Sequence, residues 1–262
     1  MNRSIARWSA LATFVIGLIT LACTATNPET GRQSLNFMTP REEAALGLTE
    51  FNKLKQTMRI STDPQMNEMV QNVGNRLKQV IPMEEADWEF VVFEDPSPNA
   101  FALPGGKVGV HTGLFPIAQN EAGLAAVIGH EIGHVVGRHS GNRVSQQMVA
   151  GGVAAGAAYV LNQGDRSSPI GTAAVAGGAL LATRNFSRNQ ELEADKMGAN
   201  FMARAGYDPR ESVSLWQRFA AWRQSSGSAN NTPAFLRTHP VDEVRIQELQ
   251  AHMPEAMGMW KR

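Results

Sequence analysis

The sequence predicts an α+β fold that is mainly helical and carries one small β-sheet. Apolar residues recur at helical spacing from Asn120 to His139, which indicates a long buried helix. The strand-like segments, at 87–95 and 99–115, follow one another instead of alternating with helices. Because the helical segments outnumber these grouped strands, the sequence favours α+β over an alternating α/β arrangement.

Local signals place the remaining elements in chain order. Thr39 as N-cap, Pro40 at the first helical position and Glu42 in a capping box predict a first helix. Asp63, which is followed by a proline, starts a second helix. We expect two strands around the turn at 104–106. Three more helices are expected at about 189–205, 210–225 and 240–252.

Charge and cysteine content exclude several classes of protein. Lysine plus arginine equals aspartate plus glutamate at 24 each, and the pI is near 7.0. Nothing in this balance calls for nucleic acid as a partner. The single cysteine excludes an internal disulfide framework.

The N-terminus has the pattern of a targeting segment. Arg3 and Arg7 precede the apolar run WSALATFVIGLITLAC, which ends at Cys23. This pattern is typical of a signal peptide, and the run is slightly short for a membrane anchor. We therefore expect a lipoprotein-type signal peptide over residues 1–22, with Cys23 acylated. Cleavage by an ordinary signal peptidase nearby is the alternative.

Export to a bacterial periplasm follows from either type of signal. Thr24, rather than aspartate, after Cys23 favours the outer membrane as the place of the lipid anchor. The polar segment 23–38 is predicted to be a tether, and residues 39–262 form the folded domain.

Two Ala/Gly-rich segments, QQMVAGGVAAGAAYVLNQG and PIGTAAVAGGALLATRNFS, lie between residues 146 and 187. Both are short and weakly hydrophobic for membrane spans. They predict a hairpin of small-residue helices packed on the domain. The alternative is a mobile or membrane-touching flap over an active site.

The motif GHEIGHVVGRHS contains three histidines and one glutamate that could bind a metal or act in catalysis. His130 and His134 are four apart, so both imidazoles leave one face of the predicted helix. Glu131 between them can reach a water in the open position of a bound zinc and act as general base. The flanking Gly129, Gly133 and Gly137 cost about 1 kcal/mol each in a helix, which indicates that another backbone comes close.

The third ligand has two candidate sources. His139 lies five residues after His134, about 500° of helix rotation, and would point away from the ligand face. We interpret it as a histidine at a helix C-terminus that interacts with the dipole, and not as a ligand. Glu191 on a later helix is the better candidate. Asp195 shares its face and can orient a zinc-bound histidine, whereas Glu193 points nearly the opposite way. A solvated acidic helix start is the alternative explanation of these carboxylates.

Four ordered motifs resemble the HtpX, CAAX prenyl protease and Oma-type family of gluzincin metallopeptidases. They are NAFALPGGKVGVHTGL, LAAVIGHEIGHVVGRHS, SRNQELEAD and THPVDEVRIQEL. The opening NPETGRQSLNFMTPREEAALG resembles the bacterial periplasmic branch of BepA and LoiP type. The chain ends at Arg262 without room for C-terminal helical repeats, so a compact LoiP-like lipoprotein is expected.

The resemblance implies a zincin-type catalytic domain over 39–262, with the small sheet beside the active-site helix. It implies one Zn²⁺ per chain held by His130, His134 and Glu191. Glu131 would be the base, and Asp195 would orient a histidine. The implied activity is endopeptidase cleavage of misfolded or unassembled envelope proteins.

Four further residues are weighed as contacts of the substrate or the zinc. The strand in KVGVHTG flanks the cleft in this family, so a substrate could pair with its edge, near Asn99 and His111. His239 could be a removable fourth ligand or an oxyanion stabiliser, or simply a cap of the last helix. Arg245 is a second candidate for contact with an oxyanion or a carboxylate.

A quality-control endopeptidase is the leading functional hypothesis. A chaperone-like binding module with a structural zinc is the second, but it would not need Glu131. An enzyme held latent by the Ala/Gly hairpin is a third. Expected partners are unfolded envelope proteins, the membrane through Cys23, and an envelope assembly factor or another protease.

Overall fold

The computed structural model describes residues 24–149, 186–225 and 234–260. Helices dominate, and two small β-sheets accompany them, which confirms the predicted α+β class. The predicted signal peptide, Cys23 and nearly all of the Ala/Gly-rich pair lie outside the described residues. Within the described ranges, no helix combines the length and apolar character that a bilayer span requires.

The segment predicted as a tether is folded. β1 (Thr24–Thr26) pairs antiparallel with β2 (Gln33–Leu35), and we call residues 24–35 the N-terminal hairpin. Its polar residues bond to the domain: Asn27 Nδ2 donates to Glu193 Oε1 at 2.7 Å. The prediction of a tether was wrong because polar composition does not distinguish a solvated linker from a hairpin docked by hydrogen bonds.

Both predicted N-terminal helices are present with their caps. α1 (Pro40–Thr57) begins after Thr39, which forms the expected capping box with Glu42. α2 (Pro64–Leu77) begins after Asp63, whose side chain accepts from two backbone N–H groups. α2 packs its buried face against the main sheet and against the helix that carries His130 and His134, which we call the motif helix.

The main sheet has three strands in the order β3-β5-β4. They are β3 (Glu89–Phe93), β4 (Ala100–Leu103) and β5 (Lys107–His111). β5 pairs in parallel with β3 and antiparallel with β4 through the predicted turn. The strand KVGVH is therefore central and fully buried, and the expectation that a substrate pairs with its edge was wrong. β4 pairs only with β5 within the described ranges and forms the edge of this sheet.

The motif helix is shorter than the periodicity predicted. After the short α3 (Phe115–Ala118), α4 (Glu121–Val136) begins with Asn120 as its cap. It ends at Val136, and Arg138 adopts a positive φ of 50° before a second helical segment at 139–149. The apolar positions behind the prediction stop at Val136, so its extension to His139 rested on polar residues alone.

The C-terminal part is helical, and its first helix packs against the motif helix. It comprises α5 (Arg188–Arg204), α6 (Arg210–Ser225), α7 (Ala234–Thr238) and α8 (Glu243–Met259). A Cβ at Gly129 would lie 3.1 Å from the carbonyl oxygen of Gly198. One at Gly133 would lie 2.9 Å from that of Ala194. The predicted close approach of another backbone is thus confirmed at these two glycines.

Candidate metal centre

Two histidines of α4 and a glutamate of α5 converge in the core. The Nε2 atoms of His130 and His134 are 3.1 Å apart. Glu191 Oε2 lies 3.5 Å from His130 Nε2, and Oε1 lies 3.4 Å from His134 Nε2. All three side chains are buried. The helical spacings of four in HExxH and ExxxD, together with the glycine contact between α4 and α5, bring these groups to one point.

His239 completes this cluster from the loop after α7. Its Nδ1 lies 3.2 Å from His130 Nε2 and 3.1 Å from Glu191 Oε1. Its ring stacks on Phe235, with centroids 4.8 Å apart. Burial opposes protonation of His239, but Glu131 and Glu191 raise its pKa. The structure therefore places His239 where the sequence hypothesis requires it.

The four groups suit a metal ion. The cluster offers one ligand atom each from His130, His134, Glu191 and His239, all within 4.8 Å of one another. Beside it, the buried Glu131 Oε1 has no hydrogen-bond partner among the described residues. A carboxylate left unsatisfied in the core is costly, which favours a ligand at this place. Imidazoles with a carboxylate are the donor set that zinc accepts.

Glu131 lies next to the cluster but faces the cavity. Its Oε1 is 3.4 Å from His239 Nε2. Burial raises the pKa of Glu131, although the neighbouring His239 and His130 oppose this shift. A raised pKa brings the carboxyl group closer to the range in which it exchanges protons near neutral pH.

Asp195 supports His130 from behind. His130 Nδ1 lies 2.8 Å from Asp195 Oδ1, and both side chains are fully buried. Burial alone would favour a neutral carboxyl, but Arg245 and His130 lower the pKa of Asp195. A carboxylate in this position fixes a proton on His130 Nδ1 and leaves Nε2 for a metal. The predicted orienting role fits this geometry.

Arg245 occupies a different place from the one proposed for it. Its Nη2 and Nε atoms donate to both oxygens of Asp195, and its Nη1 lies 2.8 Å from Glu191 Oε2. Its guanidinium lies over the ring of Trp216, buried in the core. The substrate-binding role was wrong, because the side chain faces the rear of the cluster and not the cavity. The alternative of carboxylate contact is what the structure contains.

His139 is not a dipole partner at a helix end. Because α4 stops at Val136, the chain turns back and His139 Nδ1 lies 2.8 Å from His134 Nδ1. Its Nε2 lies 3.0 Å from Glu193 Oε2, and its side chain is fully buried. The interpretation from sequence assumed a continuous helix and was wrong about this environment. His139 Nδ1 faces the rear of His134, so it takes no ligand position.

Glu193 does leave α5 on a different side from Glu191, as predicted, but it is not solvated. Its carboxylate accepts from His139 and from three side chains of the N-terminal hairpin. Burial raises the pKa of Glu193, but these donors outweigh it and lower the pKa to about 2. One local signal could have indicated the end of α4, because Gly137 directly follows the last apolar residue of the motif and glycine is common where a helix ends.

A cavity of about 290 Å³ opens in front of the cluster. Glu131, His134 and His239 form its inner end, and the edge strand β4 forms one wall. Asn99 and His111 both line it, so the structure brings these two candidates to the site. His111 is buried, and burial lowers its pKa despite the nearby Asp95.

Two aromatic contacts of the histidines were not identified from sequence. The ring of Trp216 lies 5.0 Å from that of His130, and Phe186 stacks on His134 with centroids 3.8 Å apart. Neither residue lies near the motif in sequence, and aromatic residues at helical spacing are equally typical of a core.

The site has the pattern of the gluzincin class of metallopeptidases: a His-Glu-x-x-His pair on one helix and a glutamate from a second helix. Within the described ranges, an edge strand lies beside the cavity. The model of peptidase family M48 matches residues 64–253. The chain belongs to this family.

Curated relatives agree with the family match. The mitochondrial metalloendopeptidase OMA1 of Schizosaccharomyces pombe is 38% identical over 187 residues, covering 71% of this chain and 53% of the relative. The putative beta-barrel assembly-enhancing protease of Vibrio cholerae is 30% identical over 242 residues, covering 84% and 46%. The beta-barrel assembly-enhancing protease of Escherichia coli K12 is 28% identical over 228 residues, covering 85% and 46%. The chain spans about half the length of these relatives.

Proposed function

We propose that the protein is a zinc-dependent endopeptidase that cleaves misfolded or unassembled proteins of the cell envelope. The observation that carries the proposal is the position of Glu131. It is buried and lines a cavity, beside a cluster that suits a metal and next to β4, the edge strand of the main sheet within the described ranges. A site that bound metal only for structure would have no use for this carboxylate.

His130, His134 and Glu191 would hold the metal. When bound, zinc supplies Lewis acidity that polarises the scissile carbonyl and makes an attacking water more acidic. Asp195 keeps His130 in the tautomer whose Nε2 lone pair faces the cluster. Arg245 compensates the charges of Asp195 and Glu191, so that both carboxylates stay ionised in the core.

Glu131 would be the general base and then the general acid of the reaction. Its carboxylate takes the proton from the attacking water and delivers it to the nitrogen of the leaving amine. Its raised pKa favours this exchange near neutral pH, and its burial keeps the proton from bulk water.

An extended substrate would lie along β4. This strand is the edge of the main sheet within the described ranges, and all four of its residues line the cavity. Backbone pairing to an edge is insensitive to side chains, which suits unfolded segments of varied sequence. Asn99 and His111 would contact the peptide from the same wall.

His239 would act on the same centre as a removable fourth ligand. Its Nδ1 points at the cluster, and its loop position between α7 and α8 allows it to move away when substrate enters. Stabilisation of the oxyanion is the other role that its position next to Glu131 permits. His239→Ala separates the two: loss of a blocking ligand raises turnover, and loss of an oxyanion donor lowers it.

We further propose that the protein works in the periplasm as an outer-membrane lipoprotein anchored through Cys23. The apolar leader that ends at Cys23 supports this location. Beta-barrel assembly-enhancing proteases among the relatives support an envelope assembly factor or protease as a partner. Metabolic labelling with a fatty acid should mark the full-length protein but not Cys23→Ser. Equal fractionation of both proteins with the soluble periplasm would contradict the anchor.

Zinc content and cleavage of unfolded casein test the activity. We compare the wild type, Glu131→Gln and the exposed control Glu68→Gln. One zinc per chain in all three, with cleavage abolished only in Glu131→Gln, is expected. Zinc in all three with cleavage in none favours the chaperone-like binding module. Absence of zinc from the wild type contradicts the proposed function.

A further inference from the structure

The second histidine of the motif has a support that the catalytic scheme does not use. We propose that Glu193 is a positioning residue of the metal centre, which orients His134 through His139 and is itself held by the N-terminal hairpin. The proposal rests on the proposed function, since it assumes that His134 is a ligand. It adds a segment outside residues 64–253 to the apparatus that holds the metal.

The first step runs from His139 to His134. The break after Val136 turns His139 back, so that its Nδ1 comes within 2.8 Å of His134 Nδ1. Gly137 makes room for this turn, because a Cβ there would lie 2.4 Å from His139 Nε2. The contact is on the side of the His134 ring opposite to Nε2, which faces the cluster.

Glu193 determines which ring nitrogens of His134 and His139 carry a hydrogen. Two neutral imidazoles can share a hydrogen in either direction, so the pair alone does not select a tautomer of His134. Glu193 Oε2 lies 3.0 Å from His139 Nε2, and a carboxylate accepts. His139 therefore donates from Nε2 and accepts at Nδ1 from the Nδ1–H of His134. This leaves the Nε2 lone pair of His134 for the metal.

The N-terminal hairpin holds the carboxylate of Glu193 in place. Asn27 Nδ2 donates to Glu193 Oε1 at 2.7 Å, and Thr30 donates its hydroxyl to the same oxygen. Arg32 donates from Nε to Glu193 Oε2, and its Nη2 donates to the Gly137 carbonyl at 3.2 Å. One hairpin thus holds both the acceptor of His139 and the backbone at the end of α4.

The structure offers a control on the same hairpin. Glu29 forms an ion pair with Arg204 at 2.6 Å and makes no contact with Glu193 or His139 within the described residues. Glu29→Ala therefore removes a contact between the hairpin and α5 but leaves the support of His134 intact.

Zinc affinity, measured by competition with a chelator, is the first readout. Glu193→Ala should weaken zinc binding 10- to 100-fold, the usual loss when a partner of a ligating histidine is removed. Arg32→Ala should weaken it several-fold, and Glu29→Ala should leave it unchanged. If Glu193→Ala does not fold, Glu193→Gln takes its place, since it keeps the shape but removes the charge.

Histidine ¹⁵N chemical shifts of the zinc-free protein are the second readout. The chain has six histidines, so the signals can be assigned by substitution. In the wild type and Glu29→Ala, we expect the hydrogen on Nδ1 of His134 and on Nε2 of His139. Glu193→Gln should give a mixture of tautomers at both rings, which a purely structural role of Glu193 would not produce.

The outcomes separate the two proposals. A wild type that binds zinc, with affinity and tautomers unchanged in Glu193→Gln and Arg32→Ala, overturns the positioning role and leaves the proposed function standing. A wild type that binds no zinc contradicts the proposed function, and the positioning role falls with it. Equal loss of affinity in Glu29→Ala and Arg32→Ala would also overturn it, because the effect would then be general loosening of the hairpin.

Discussion

The two histidines of the motif are supported in different ways, although they are one helical turn apart. Behind His130 lies the ion pair of Asp195 with Arg245, both fully buried and both carried by helices inside the family match. Behind His134 lie His139 and Glu193, and the last acceptor is held by a hairpin near the N-terminus. One support is part of the core, and the other is docked onto it.

The difference in burial determines how much each support is expected to contribute to the free energy of unfolding. Breaking one partner of a buried ion pair leaves an uncompensated charge and costs about 3–5 kcal/mol. The side chain of Arg32 is 33% exposed, and partly solvated ion pairs contribute about 1 kcal/mol or less. The contacts behind His130 therefore couple the metal centre to global stability, whereas the contacts behind His134 can change the metal centre with little effect on the fold.

The largest effect is expected on the His130 side. Arg245→Ala leaves Asp195 and Glu191 without their shared cation in the core. We expect a loss of about 3–5 kcal/mol in the free energy of unfolding. Urea denaturation of the zinc-free protein measures it, with the exposed pair member Arg210→Ala as control. Equal midpoints for the two variants would remove the basis of the comparison.

An intermediate effect is expected where both sides meet, at the contact of α4 with α5. In Gly133→Ala the new Cβ would lie 2.9 Å from the Ala194 carbonyl oxygen, so the helices must separate. We expect a loss of about 1–3 kcal/mol and weaker zinc binding. Gly258→Ala is the matched control, because nothing lies within 4 Å of its Cβ.

The control variant Gly258→Ala should itself change the free energy of unfolding, in the opposite direction. Gly258 lies inside α8, where alanine is the better helix former, so Gly258→Ala should raise the free energy of unfolding by up to about 1 kcal/mol. Thermal denaturation of both glycine variants checks the pair. A stabilised Gly133→Ala would show that the two helices are not held in close contact there.

The smallest effect on stability is expected on the His134 side. Arg32→Ala should lower the free energy of unfolding by about 1 kcal/mol or less, similar to Glu29→Ala. Zinc affinity should nevertheless fall only in the Arg32 variant. Denaturation and chelator competition on the same samples compare the two quantities. If Arg32→Ala lowered the free energy of unfolding by about 3 kcal/mol or more, as expected for a buried pair, the contacts behind His134 would contribute to stability as much as those behind His130.

The ligand candidates were predictable because they depend on local geometry. Spacing of four residues places His130 with His134, and Glu191 with Asp195, on shared helix faces. Glycines on α4 indicated the close neighbour that α5 supplies. Arg245 was identified as a residue of interest, but its position behind the ligands depends on how α8 packs against α5, which no local pattern encodes.

The sequence by itself determined the helix faces, the capped helix starts, the family motifs and the turn between β4 and β5, because each depends on residues close together in the chain. The tertiary structure alone decided the rest. It placed His139 against His134 and Glu193, it left β4 at the edge of the main sheet within the described ranges, and it docked the N-terminal hairpin on Glu193. The docking of the hairpin depends on groups more than a hundred residues apart, such as Arg32 and Glu193. All three outcomes depend on which polar partners are near enough to bond once the core has formed.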